Sequence, residues 1–162
     1  MLIVRHGIAE DRQAFAQTGR SDGERPLTEL GIERMRRAAK ALAKLEPTLD
    51  LLASSRLERA MQTAELIAAR YDVPLVPIDE LDPSASLSQL SDWVRAQEEQ
   101  TVALVGHEPQ LSMFVSWLVC GSGRTQLTLK KGGACLVDLP TEIDAGQGVL
   151  KWLLPPSALR RL

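Results

Sequence analysis

Short apolar runs alternate with longer amphipathic stretches along this chain, and that alternation predicts its elements. "LIV" at 2–4 reads as a buried strand. The polar segment 8–25 reads as a loop, with "DRQAFAQ" able to form one helical turn. A helix follows in "RPLTELGIERMRRAAKALAKLEP". Thr28 is its N-cap, and Glu29 lies in the first turn, where the helix dipole favours a carboxylate. Ile32, Met35, Ala39 and Leu42 step by three, four and three, so one face is apolar, and Pro47 ends the helix.

"LDLLAS" (49–54) reads as a second strand and "SRLERAMQTAELIAARY" as a second helix. Ser55 and Glu58 have capping-box spacing there, and Leu57, Ala60, Ala64, Ile67 and Tyr71 define the inward stripe. "PLVPI" (74–78) is a strand whose prolines put it near a sheet edge. Ser86 and Gln89 form another capping box, opening a helix that fills most of 79–100 and turns Leu87, Leu90 and Val94 inward. "TVALVG" (101–106) is the strongest strand, and Pro109 suits the first turn of the helix "PQLSMFVSWLV". Beyond Gly121, "QLTLKKGGACLVDL" and "GVLKWLL" read as strands joined by Gly-rich turns.

Together these predict one α/β domain over residues 1–162. It is a three-layer α/β/α arrangement with a mostly parallel central sheet and antiparallel strands late in the chain. Composition is that of a globular protein, with a net charge of −2 that argues against a nucleic-acid partner. "MLIV" is too short for a signal-peptide core and no apolar run reaches membrane-spanning length, so the expectation is a cytoplasmic protein with no membrane partner. Cys120 and Cys135 lack CxxC spacing and read as two reduced core thiols.

Ligands of such sheets bind at the carboxyl ends of the strands. Arg5-His6-Gly7 follows the first predicted strand, Ser55 and Arg59 follow the second, and Gly106-His107 follow the strongest. Either histidine alone reads as an ordinary structural residue, and Arg59 alone as a solvated one. Both histidines of the chain meeting two arginines at one sheet edge read as a site. Guanidinium groups and helix N-termini suit a tetrahedral oxyanion. One imidazole can attack phosphorus, and a second can stabilise charge on the transferring oxygens. A metal centre would use His6 and His107 with Glu10 or Glu108. Cationic Arg5 opposes it, and no HxH or HxxxH spacing appears, so no metal or other cofactor is expected.

"IVRHG" (3–7), "RPLTELG" (25–31), "SRLERAMQTA" (55–64) and "VGHEP" (105–109) resemble the motifs of the histidine phosphatase superfamily, which has the phosphoglycerate-mutase-like fold. Within it the chain is similar to the small bacterial phosphohistidine phosphatases of the SixA type. The resemblance implies that His6 is the phosphorylated nucleophile, that Arg5 and Arg59 bind the phosphoryl group, and that His107 completes the pocket. Arg56 is then a neighbour facing solvent or the substrate's rim. Arg25 is a further phosphate-binding candidate, set against the plain alternative of a surface arginine ahead of a turn. Many relatives insert a long lid after the third strand that carries a glutamate acid. Here only 79–100 is available, so no lid subdomain is expected, and Glu80 is either that acid's remnant or an exposed charge beside Asp79 and Asp82.

A lidless pocket without a dedicated acid suits a leaving imidazole better than a leaving alkoxide. The expected activity is removal of phosphate from phosphohistidine on a partner protein, such as a histidine-containing phosphotransfer domain or a carrier protein. A small-molecule phosphomonoesterase and a non-enzymatic phosphoprotein-binding module are the alternatives.

Overall fold

The computed structural model describes all residues, 1–162. Six strands form one sheet: β1 (Leu2–Arg5), β2 (Leu51–Ser54), β3 (Leu75–Pro77), β4 (Val102–Gly106), β5 (Ala134–Asp138) and β6 (Val149–Leu154). Their order is β3-β2-β4-β1-β5-β6. The first four pair in parallel, and β5 and β6 join antiparallel. β1 and β4 therefore lie side by side at the centre, and every residue of β2 and β4 is buried, as expected for strands covered on both faces.

Alternation along each strand feeds two cores. Leu2, Val4, Ala103 and Val105 face helices α2 (Glu29–Leu45) and α3 (Glu58–Tyr71) after the short α1 (Arg12–Ala16). They pack there with Met35, Leu42, Ala64 and Ile67. Ile3, Val102 and Leu104 face α4 (Leu87–Arg95) and α5 (Gln110–Cys120), packing with Leu90, Leu111, Phe114 and Leu118. The predicted three layers are present, and a last turn of helix, α6 (Pro156–Leu159), closes the first core through Leu159. No helix is long and apolar enough to cross a membrane.

Thr28 caps α2 by accepting from Gly31 N–H at 2.9 Å, and Ser86 with Gln89 forms the capping box of α4. Five expectations need correction. Helix α3 begins at Glu58 with Leu57 as an uncapped N-cap, because the Ser55 hydroxyl is turned to another partner. Pro109 sits at the N-cap of α5, one position ahead of its first turn. Helix α4 spans nine residues, less than half of 79–100, preceded by a 3-10 turn at Asp79–Leu81. Only Ala134–Asp138 of "QLTLKKGGACLVDL" is strand: Gly132, at φ +76°, turns the chain, and the residues before it are recruited by side chains of the site. Cys135 is core, but Cys120 is exposed at the end of α5.

Helix α2 approaches the β1 exit closely at Gly31. A Cβ built there would lie 2.1 Å from the Ile8 carbonyl oxygen, which the backbone cannot yield cheaply. Gly31→Ala is expected to lower unfolding free energy by about 1–3 kcal/mol, the usual scale of overpacking. Chemical denaturation checks this, and a variant as stable as the wild type would refute the contact.

Candidate active site

The carboxyl ends of β1, β2 and β4 are stitched together by backbone hydrogen bonds. His6 N–H donates to the Gly106 carbonyl at 3.1 Å, and Ser55 N–H donates to that of Val105 at 3.0 Å. Arg5 pairs with Gly106 in the parallel register, so the residues that follow each strand, His6 and His107, emerge as neighbours. Their ring centroids are 5.0 Å apart with planes inclined at 53°. Both are buried, at 6% and 3% exposure.

The hydrogen bonds set the proton positions. His6 Nδ1 lies 2.7 Å from the Gly7 carbonyl oxygen, which can only accept, so Nδ1 carries the proton and Nε2 keeps its lone pair. Gly7 N–H in turn donates to Thr63 Oγ1, which donates to the Arg59 carbonyl at 2.7 Å, tying the loop after His6 to α3. His107 Nε2 lies 2.9 Å from Ser55 Oγ, which also accepts from Leu57 N–H at 3.3 Å. Ser55 can donate to a neutral His107 or accept from a protonated one. Its role as this partner, rather than as a helix cap, was not visible in its spacing to Glu58.

Two guanidiniums border the histidines. Arg5 Nη1 donates to the Leu129 carbonyl at 2.7 Å, and Arg59 Nη1 to the Asp22 carbonyl at 2.9 Å. The Nε atoms of both are buried without a hydrogen-bond partner. Buried donors are ordinarily satisfied, so two orphaned N–H groups on the arginines of one site mark it as built to receive acceptor oxygens.

Asp22 gathers the cations around Arg59. Its carboxylate accepts from Arg12 at 3.2 and 3.1 Å and from Arg25 Nε at 2.8 Å, and lies 3.4 Å from Arg59 Nη2. Hydrogen bonds from Arg12 and then Arg25 hold it far below the usual carboxylate range. Arg25 is buried and uses Nη1 on the Glu10 carbonyl at 2.8 Å, so it joins this arginine cluster with two donors already engaged. Arg56 is exposed and ion-pairs with Asp79 at 2.5 Å. Glu108 accepts from Leu129 N–H at 2.7 Å and so braces the segment that receives Arg5, a link between distant residues with no sequence signal.

Glu80 makes no side-chain hydrogen bond; its carbonyl accepts from Gln110 Nε2 at 2.9 Å. The carboxylates that act on His107 and Arg59 through their charge are Asp82 and Asp22, Asp82 more strongly on His107 and Asp22 more strongly on Arg59. Asp82 is itself held below its ordinary value, first by hydrogen bonds from Ser84, so it stays ionised at neutral pH. No three His, Cys, Asp or Glu side chains come together as a metal ligand set.

Burial lowers both imidazoles. His6 is pushed down to about 3 by burial and then by the charge of His107. His107 is pushed down to about 4 by burial and then by Arg59. Both are therefore neutral at neutral pH.

The family model of the histidine phosphatase superfamily (branch 1) matches residues 1–83, just over half of the chain. An uncharacterized protein of Picosynechococcus sp. is 36% identical over 137 residues, covering 82% of this chain and 81% of its own. Among solved structures, the protein histidine phosphatase SixA complexed with tungstate superposes with a TM-score of 0.83 at 26% identity, over 98% of this chain and 97% of that one. The alpha-ribazole phosphatase of Shigella flexneri shares the fold, with a TM-score of 0.73 at 18% identity over 96% of each chain.

The depressed histidines make a stability prediction. An unfolded histidine takes up a proton near 6.5, whereas these two resist it until about 4 and about 3. Their contribution to stability is complete above pH 6.5 and is lost as the pH falls from there, toward about 4 for His107 and about 3 for His6. Denaturation midpoints should decline across that window, and the double variant His6→Gln, His107→Gln should flatten the decline. An unchanged slope in the double variant would show the histidines are not its source.

With two histidines and two arginines at the ends of the central strands, this fold, and a family match over the first half of the sequence, the chain belongs to the histidine phosphatase superfamily.

Proposed function

We propose that this protein removes phosphate from phosphohistidine on a partner protein, through a covalent intermediate on His6. The observation that carries the reading is the pair of buried, unpartnered Nε–H groups on Arg5 and Arg59 beside a neutral His6 whose Nε2 is free. A phosphoryl group bound there satisfies both donors and stands before the lone pair.

His6 Nε2 attacks phosphorus, forming a P–N bond as the bond to the leaving imidazole nitrogen breaks. That imidazole departs neutral, carrying the proton it already held on its other ring nitrogen. Water then attacks the phosphoryl group on His6, the new P–N bond breaks back to Nε2, and inorganic phosphate leaves. Arg5 and Arg59 offset the charge on the transferring oxygens throughout. A phosphoryl dianion also raises the proton affinity of His107 by direct attraction, so binding draws a proton onto it, and Ser55 Oγ turns from donor to acceptor. The cations supply the charge a divalent ion would otherwise bring, so the reaction needs no metal.

The substrate class follows from the carboxylates. Asp82 stays ionised and Glu80 is anchored only through its backbone, so neither offers a positioned proton to a poor leaving group. Helix α4 buries Leu90 and Val94 against the sheet instead of closing over the site. A protonated imidazole leaves without help, and an open edge admits a side chain on a folded protein. A sugar phosphate or other small ester would need the missing acid, and a pure binding module would have no use for a free nucleophile.

His6→Ala should abolish turnover and the acid-labile phosphate trapped on the wild-type enzyme, with the fold retained by circular dichroism. Arg59→Ala should lower kcat/KM by about 10²-fold or more, the scale of a lost transition-state donor. Arg56→Ala should change it less than about twofold, and chelator should change nothing. Equal losses at Arg59 and Arg56 would remove the role assigned to Arg59.

For substrate class, kcat/KM on a phosphorylated histidine-containing phosphotransfer domain should exceed that on 3-phosphoglycerate by about 10²-fold or more, the contribution of one general acid. A preference for the small ester would transfer the site to phosphomonoester chemistry.

A further inference from the structure

Beside the site lies a recess at the same edge of the sheet. Its volume is about 90 Å³, and its lining includes Gly7, Ile8, Arg34, Lys131 and Arg160. Gly7 and Ile8 continue directly from His6, and the turn after Lys131 donates Gly132 N–H to the His6 carbonyl at 3.0 Å. Arg160 follows α6, which leaves β6 at the end paired with Ala134, itself paired with Val4 beside Arg5. The recess thus opens next to the nucleophile, on the flank toward α2 and β5–β6.

Three cations and no carboxylate line it. Five arginines of the chain are buried or half-buried: Arg5, Arg25, Arg34, Arg59 and Arg160. Arg25 and Arg59 rest on Asp22, and Arg5 rests on the Leu129 carbonyl and on the charge of Glu108. Arg34 and Arg160 alone among the five have neither an ion pair nor a side-chain hydrogen bond, although Glu33 beside Arg34 is paired, with Arg37. The large cleft at the opposite, amino edge of the strands is lined by Glu46, Glu98, Glu99 and Asp138. Like charges converging on a confined space repel unless an anion enters it. The space holds one carboxylate-sized group and is too small for a nucleotide or cofactor.

We infer that this recess is an anion subsite that receives a carboxylate side chain of the phosphohistidine-bearing protein, close to the phosphohistidine itself. The inference rests on the reading of the main site given above and deepens it: partner selection is electrostatic and acts through a second contact. Because Ile8 is two residues from His6, the carboxylate sits within a few residues' reach of the phosphorylated side chain.

The test measures binding, so that it does not depend on turnover. Peptides of about twelve residues, phosphorylated on a central histidine, carry a single glutamate at two to five positions on either side, or alanine throughout. Their Kd is measured by fluorescence polarisation on the His6→Ala protein. At its best position the glutamate should tighten binding about tenfold, the effect of one complementary charge contact. Adding Arg34→Glu should erase that gain and make the matching lysine peptide the tighter binder. Adding Arg36→Glu, exposed on the same helix outside the recess, should leave the glutamate preference intact. No glutamate advantage at any position, or an equal loss with Arg36→Glu, would overturn the subsite. A rise in Tm with inorganic phosphate that Arg34→Glu removes while peptide preference is unchanged would reassign the recess to free phosphate and overturn the partner contact. Phosphoserine peptides binding as well as phosphohistidine peptides, with the glutamate preference kept, would count against the substrate class alone and would uphold the subsite.

Discussion

The parallel pairing of β1 with β4 is the constraint on which the site depends. Arg5 lies opposite Gly106, and His6 N–H holds the Gly106 carbonyl, so the chain leaves both strands at the same level. Residues 101 positions apart in sequence thereby become ring neighbours at 5.0 Å. A register slip would separate them and also turn each strand's apolar residues to the wrong core. Because Leu2, Val4, Ala103 and Val105 on one face and Ile3, Val102 and Leu104 on the other are all buried, that slip is strongly opposed. Hydrophobic packing on both faces is therefore what holds the two imidazoles together.

Cations dominate the site, and the fold has to keep them close. Asp22 does so for Arg12, Arg25 and Arg59 with a single carboxylate and its own backbone carbonyl. Glu108 does so for Arg5 by gripping Leu129, whose carbonyl receives the guanidinium. Neither arrangement uses the Nε donors of Arg5 or Arg59. The protein satisfies enough of each guanidinium to fix its position and leaves one buried donor on each unused, which under the proposed function is preorganisation for an oxyanion. Burial adds a second effect: it keeps both imidazoles neutral at neutral pH.

The same economy extends to the surface. A recess lined by Arg34, Lys131 and Arg160 lies at the carboxyl edge of the sheet, and the cleft at the amino edge is lined by Glu46, Glu98, Glu99 and Asp138.

Much of this was legible in the sequence. Periodicity located all six strands and the principal helices, and the rule that ligands sit at strand carboxyl ends grouped Arg5, His6, Arg59 and His107 from the sequence alone. These features are local: apolar spacing, a cap at Thr28, a capping box at Ser86 and Gln89, and motif residues flush against strand ends. What the sequence could not supply were the partners. Ser55 has capping-box spacing to Glu58 yet turns to His107, because a buried imidazole nitrogen without a partner is costlier than an uncapped helix end exposed to water. Residues 126–130 have strand periodicity yet form none, because Leu129 is held between Glu108 and Arg5. Asp22, Thr63 and Glu108 were silent for the same reason. Their roles are contacts across 37, 56 and 21 residues of chain, and a one-dimensional pattern records which groups must be buried, whereas only the folded packing decides which of them meet.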